Sequence, residues 1–431
     1  MRAPILTAAT AAVSLLTGTL ATLDAAQKIL GHDHSSHDHM RDVHGVYRNP
    51  SDDGINPFPL VEPDVLSDAS INLDTPAGDS IFSGLGTFAH LPFGACLSPI
   101  AGQLPEGSEE VAPGDSFDIA VVGMPFDTAV SFRPGARFGP SGIRHNSKRM
   151  SKFRGYNVPL GVNIYESGQK ILDCGDIPVT AFDNNLAVKQ MQRGYTSLLQ
   201  RPVKTPAKEG KKPRYAKTGR SHPKLITLGG DHTLVLPVLR SLETVYGPVS
   251  VIHFDSHLDS WDPGFYGGDE ASKASTINHG TFFWHAANEG LIRNGSSTHA
   301  GIRTRLAHPT DYDTDKQCGF SLQEAHVIDD IGIKGIVKNI RKAVEGNPVY
   351  LSIDIDVLDP SAAPATGTPE TGGWTSRELR KILRGLDGLD IIGADVVEVA
   401  PAYDNQAALT QMVAADLVFE ILGLMVKRGP L

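Results

Sequence analysis

Short apolar runs recur along the chain, and several of them end abruptly in charged groups. Leu225–Leu228 leads into Gly229-Gly230-Asp231-His232, and Val249–Phe254 leads into Asp255-Ser256-His257-Leu258-Asp259. A later run from Tyr350 carries Asp354 and Asp356 two residues apart. Phe117–Gly123, the segment ending in Cys174-Gly175-Asp176-Ile177, Ala300–Thr304, His326–Asp329 and Ile391–Val399 read as further strands. Continuous apolar runs bounded by turn residues fit strands covered on both faces. Helical patterns lie between them: from Gly139-Pro140, over Asn184–Arg201, up to Gly290, up to Val344, and from Ser376. Asn405–Val426 reads as a long amphipathic closing helix. Strands alternating with helices predict a three-layer α/β/α architecture with a mostly parallel central sheet, in a single domain over residues 78–431.

Composition narrows the possibilities. The 431 residues are 40% hydrophobic and carry a formal net charge of −10. That balance offers no basic face for nucleic acid. Cys96, Cys174 and Cys318 form no redox or metal pattern and allow at most one intramolecular disulfide. Arg2, the apolar Ile5–Leu23 segment and the small residues around Ala21 and Ala25 have the layout of a secretory signal peptide over residues 1–25. The expected route is therefore the secretory pathway, to a secreted or extracellular location. The sequon Asn294-Gly295-Ser296 is expected in an exposed turn. No other run reads as long and apolar enough to span a membrane, so no stable span is expected after signal cleavage. Residues 26–77 are rich in His, Asp and Pro and read as a largely disordered extension; its histidine cluster, Gly31–His44, reads as a solvated leader. The basic stretch Lys204–Lys224 reads as a solvated surface loop.

The charged strand ends carry the candidate chemistry. Alternation along extended backbone lets Asp255, His257 and Asp259 face one side, and Asp354 and Asp356 likewise. With His232 they make a set of two imidazoles and four carboxylates. Such an oxygen-rich set suits harder divalent ions, manganese first. Six protein ligands are too many for one ion that keeps an open position, and fit two ions about 3.5–4 Å apart that share carboxylates.

The words GGDH, HFDSHLD and SIDIDVLDPSAAPATGTPE resemble, in order, the signature blocks of the ureohydrolases, the family of arginases and agmatinases. The resemblance covers roughly residues 78–431. It implies an arginase-like fold and a binuclear Mn2+ centre, two ions per subunit, that hydrolyses a guanidino compound to urea and an amine. By that resemblance His232, Asp255, Asp259 and Asp354 hold one ion. His257, Asp255, Asp354 and Asp356 hold the other, with Asp255 and Asp354 bridging. Ser256 stands where many relatives have Ala and is expected not to disturb the ligands. Asp231 is expected to orient a ligand. His279, in Asn278-His279-Gly280-Thr281, matches the family's proton-shuttling histidine, with His253 the next candidate. Glu398 matches the glutamate that pairs with the guanidinium.

Substrate choice rests on weaker signals. The stretches RPGARFGP and HGTFFWHAANEGLI resemble agmatinase-like members. Phe282, Phe283 and Trp284 are expected to line an apolar channel, and the loop Pro364–Glu370 to shape the pocket. Asp127 and Arg133 either reach the pocket mouth or brace their loop. Agmatine, cleaved to putrescine, is the leading substrate. Guanidinobutyrate or another guanidinoalkanoate is the alternative, and a non-catalytic secreted metal-binding protein is a distant one. The family also implies a homo-oligomer.

Overall fold

The computed structural model describes residues 82–98, 116–205, 213–266, 272 and 275–431. The expected leader (1–25), the extension (26–77) with its histidine cluster, and residues 206–212 of the basic stretch lie outside the described residues. Eight strands form one sheet: β1 Ile119–Met124, β2 Ile171–Asp176, β3 Lys224–Gly229, β4 Ser250–Phe254, β5 Ser297–Ile302, β6 Phe320–Glu324, β7 Val349–Asp354 and β8 Ile391–Val397. Their order is β2-β1-β3-β8-β7-β4-β5-β6, and every neighbouring pair is parallel. The helices are α1 Gly139–Asn146, α2 Asn184–Leu199, α3 Val235–Tyr246, α4 Phe282–Asn288, α5 Thr310–Gln317, α6 Val327–Val344, α7 Ser376–Gly385 and α8 Leu409–Arg428.

Two apolar cores lie on opposite faces of the sheet. One gathers residues of α1, α6, α7 and α8, such as Ile143, Ile340, Leu383 and Leu422. The other gathers α2, α3 and α4, with Met191, Leu239 and Phe282. Because both faces are covered, β1, β3, β4, β5, β7 and β8 are buried at every position, which is why their sequences run apolar instead of alternating. Four adjacent central strands, β3-β8-β7-β4, end side by side at their C-terminal ends, the usual place for sites in such sheets.

Several sequence expectations change. His326–Asp329 is not a strand: His326 caps α6 and the other three residues form its first turn. The strand of that unit is β6, whose edge position leaves Ser321 exposed and lets its sequence, FSLQE, read as polar. Helix α8 is not amphipathic but buried around most of its circumference. It is long and apolar enough to cross a membrane by length and composition, yet 78% of its apolar window is buried inside the protein. It is therefore a core helix, passing the same test that a membrane span passes. The basic stretch is not simply a solvated loop. Arg214 and Tyr215 bind Asp390, Lys217 pairs with Glu243, and Lys224 opens β3 with its Nζ donating to the Met425 and Gly429 carbonyls. Cys96 and Cys174 are disulfide-bonded, Cα–Cα 5.4 Å, and Cys318 is a buried free thiol. Asn294 lies exposed in a turn, as expected.

Candidate metal centre and active site

At the end of β3 the chain turns sharply at Gly230, where a Cβ would collide with the backbone of Phe126. Asp231 then caps the following turn through the Thr233 N–H and accepts a second bond from the Ala129 N–H. His232 is fully buried. Its Nε2 lies 2.8 Å from Ser352 Oγ, and that hydroxyl donates to Asp395 Oδ1 at 2.9 Å. With the serine proton given to the carboxylate, the serine oxygen accepts from His232 Nε2–H. Nδ1 is then a bare lone pair. It points at three carboxylates: Asp255 Oδ2 at 3.1 Å, Asp259 Oδ2 at 3.1 Å and Asp354 Oδ2 at 3.2 Å.

The other predicted residues converge on the same spot, though not by strand alternation. β4 stops at Phe254, and Asp255–Asp259 form a tight loop in which Asp255 Oδ1 accepts the His257 N–H and Asp259 sits at φ 53°. Asp354 is the last residue of β7, and Asp356 lies in the single turn Ile355–Val357 that Asp354 Oδ1 caps. His257 Nδ1 faces Asp255 Oδ1 at 3.2 Å and Asp356 Oδ2 at 3.0 Å. The Asp255 carboxylate thus stands between the two imidazoles, one oxygen toward each. Ser256 is not silent: its N–H and its hydroxyl both donate to Asp356 Oδ1. Arg303, in the block Ala300–Thr304, donates to the carbonyls of Asp356, Leu358 and Glu370 and so clamps the loop after β7.

These residues fit a divalent centre. His232 Nδ1, Asp255 Oδ2 and Asp356 Oδ2 are buried without a hydrogen-bond partner, a costly state unless a cation is coordinated. Burial and repulsion from Asp356 and Asp255 push Asp354 well above the usual carboxylate range, and burial with Asp255 pushes Asp259 up to about 6. Packed anions of this kind are stabilised by positive charge among them.

Above the cluster opens a cavity of about 250 Å³ that reaches His257, Asp259 and Asp354. His279 lies on its wall, with Nε2 accepting the Ser131 N–H at 3.0 Å and Nδ1 3.4 Å from Glu398 Oε1. Burial opposes a positive His279, but Glu398 outweighs it and raises its pKa. Glu398 lies one layer deeper, at φ 60°, with Oε1 accepting the His232 N–H and Oε2 left without a partner. Burial and Glu398 push Asp231 up to about 7.

The channel expectation is overturned. Phe282 is fully buried and packs on the His232 ring at 4.8 Å, Phe283 packs on His253, and Trp284 leans on His285. They lie on α4, whose buried side packs behind the candidate ligands. The aromatic wall comes instead from Trp261, Phe265 and Tyr266, with Arg305 and Thr368 also lining it. Trp261 stands two residues after the Asp255–Asp259 block, and that position was the available signal. His253 is fully buried behind Asp255 and does not reach the cavity, which removes it as a proton shuttle. Asp127 braces its loop by accepting from the Gly135 and Arg137 N–H groups and the Arg137 side chain. Arg133 lies against Phe132 and Tyr403 and is not on the cavity wall. Of the loop Pro364–Glu370, Thr368 lines the cavity and Glu370 comes within 3.9 Å of His257.

An eight-stranded parallel α/β/α fold with a His/Asp cluster at its central strand ends defines a metallohydrolase class. The sequence profile of the arginase family matches residues 117–423, and the chain belongs to that family. It is a ureohydrolase. "Putative agmatinase 1" of Schizosaccharomyces pombe is 55% identical over 81% of this chain and 84% of its own length. The agmatinase of Edwardsiella ictaluri is 35% identical over 78% of this chain and 97% of its own. Among solved structures, the proclavaminate amidino hydrolase of Streptomyces clavuligerus superimposes with a TM-score of 0.66 at 31% identity, covering 81% of this chain and 99% of that one.

Proposed function

We propose that the enzyme hydrolyses agmatine to urea and putrescine at a binuclear manganese centre held by His232, Asp255, His257, Asp259, Asp354 and Asp356. The observation that carries the reading is the convergence of these six side chains, with His232 Nδ1, Asp255 Oδ2 and Asp356 Oδ2 unpartnered, at the floor of a cavity whose wall includes His279. Two divalent ions held there would supply the Lewis acidity for water to react near neutral pH. The chain's own residues do the rest. Glu398 Oε2, buried beneath the cavity wall and without a donor, would accept a guanidinium N–H and orient its planar carbon. His279, its ring fixed by Ser131, would protonate the departing amine. Trp261, Phe265 and Tyr266 flank the alkyl chain and narrow the access of water.

A second reading has its own observation. Arg305 lines the cavity, and a cation there favours a substrate ending in carboxylate, such as guanidinobutyrate, over one ending in an amine. Urea release from protein lacking residues 1–45, measured with agmatine, guanidinobutyrate and arginine, tests both readings. Release from agmatine above the other two supports the first. Preference for guanidinobutyrate supports the second, and release from none leaves a non-catalytic metal-binding protein. Stoichiometric zinc in the isolated protein with full activity overturns the manganese assignment.

Passage through the secretory pathway and self-association belong to the same proposal. The Cys96–Cys174 disulfide fits an oxidising compartment. N-terminal sequencing that recovers Met1 from soluble protein overturns the first, and a monomer by light scattering overturns the second.

A further inference from the structure

Behind the cluster lies a polar chain that the chemistry above leaves unused. His253 and His299 are cross-strand partners on β4 and β5, and their Nδ1 atoms are 2.7 Å apart. His253 Nε2 lies 3.0 Å from Asp255 Oδ2. His299 Nε2 lies 2.9 Å from Asp315 Oδ1, on α5, and the same oxygen accepts the Ser260 hydroxyl at 2.6 Å. His253 and His299 are 0% exposed, Ser260 1% and Asp315 2%. His299 is hydrogen-bonded through both ring nitrogens, whereas His253 Nε2 packs against Asp255 Oδ2 at 3.0 Å without a hydrogen bond. The rings are also locked by packing: His299 stacks on Phe320 at 3.9 Å, and His253 meets the edge of Phe283 at 4.8 Å. A fully buried polar chain is costly to assemble, and no part of it touches the substrate cavity.

Its two ends explain what it does. One end is Asp255, the first residue of the loop that carries three of the proposed ligands. The other end is Ser260, the residue after the last of them, Asp259. The chain therefore closes a ring around the loop Asp255–Asp259, anchoring both ends to Asp315 on a separate helix. Asp259 holds a left-handed backbone conformation that a loop adopts only when its surroundings impose it.

We propose that His253, His299, Asp315 and Ser260 are positioning residues that hold the Asp255–Asp259 loop in metal-binding geometry and set the affinity of the centre. This rests on the reading that the cluster binds divalent ions. Groups behind a metal's ligands typically account for 10–100-fold in affinity.

The test is manganese bound per chain, by elemental analysis after equilibrium dialysis over a range of Mn2+ concentrations. The melting temperature of each metal-free protein is measured alongside. His299→Phe keeps an aromatic ring against Phe320 but breaks the chain. Its affinity is expected to fall about 10–100-fold while the metal-free protein still melts cooperatively, at whatever lower temperature the lost bond to Asp315 imposes. A His299→Phe protein with wild-type manganese affinity, or one whose only change is a lower metal-free melting temperature, overturns the inference. Should His299→Phe fail to fold, Ser260→Ala removes a single hydroxyl and carries the test: lower affinity supports the ring and unchanged affinity overturns it. Wild-type protein that binds no manganese overturns the metal reading itself, a separate outcome.

Discussion

At the scale of single residues, the site is built from groups held in unfavourable states. Among the described residues, five non-glycine residues have positive φ, and Asp259 and Glu398 are two of them. Such conformations cost about 1–3 kcal/mol and persist where neighbours over-determine them. Glu398 is held by its own N–H to the Gly230 carbonyl and by the His232 N–H on its side chain. Replacing His279 by Asn is expected to lower kcat by about 10²–10⁴-fold with little change in KM, since a general acid acts on the leaving group alone. Replacing Glu398 by Gln is expected to damage both constants, because binding and alignment share that carboxylate. Steady-state kinetics with metal analysis checks both, and unchanged kcat in His279→Asn refutes its role. Ser352→Ala removes the acceptor of His232 Nε2–H and lets the ring choose the wrong tautomer. Manganese affinity by equilibrium dialysis is expected to fall about 10–100-fold, and an unchanged value refutes the tautomer argument.

At the scale of elements, helix α8 shows how a core helix carries a charge. Glu420 is 1% exposed in the middle of α8 and accepts bonds from Arg380 and Arg384 on α7 and from Asn157 on the two-residue hairpin strand Tyr156–Asn157. It therefore ties three elements together. Burial alone raises its pKa, but the bonds from Arg384, Asn157 and Arg380 outweigh burial and hold it below the usual range. A carboxylate with a depressed folded-state pKa adds stability that is present above its unfolded pKa, about 4.5, and lost as pH falls through the folded value. Glu420→Gln is expected to cost about 2 kcal/mol at neutral pH, as for a hydrogen bond to a charged group, and to flatten the loss of stability on acidification. Denaturant melts at pH 7 and pH 4 measure this. An equal destabilisation at both values refutes the ion-pair account.

At the scale of the whole molecule, the fold concentrates four buried carboxylates on the ends of central strands, so fold stability and metal binding are linked. Ligands that bind only the folded state stabilise it by about 2.7 kcal/mol at a hundredfold excess over Kd. Chelation followed by dialysis is therefore expected to lower the melting temperature by several degrees, and readdition of Mn2+ to restore it. Calorimetry checks this, and a metal-independent melting temperature refutes the linkage. In a variant lacking Asp255, the added stability on loading is expected to shrink most, because its two oxygens face different imidazoles.

Much of this was legible in the chain. Apolar runs marked the central strands, because a sheet covered on both faces demands unbroken apolarity. The six candidate ligands were legible because carboxylates and imidazoles directly after buried runs are costly unless they bind something. Tertiary structure alone decided the rest. Strand alternation did not orient Asp255, His257 and Asp259; a tight loop did, and no local pattern encodes it. The same loop turns the His257 ring toward Asp356. The tautomer of His232 depends on Ser352, 120 positions away in the chain, and on Asp395, further still. Both arrive beside it only because β3, β8 and β7 are neighbours. The cavity wall was misplaced on α4 for a related reason. Phe282 and Trp261 are equally aromatic in sequence, and only the packing of α4 against the sheet decides that one packs behind His232 while the other lines the cavity. The sequence by itself thus marked the candidate residues for chemistry, because charge at the end of a buried strand is costly without a purpose. Their directions, partners and protonation patterns belong to contacts between distant segments, which a pattern along one dimension does not carry.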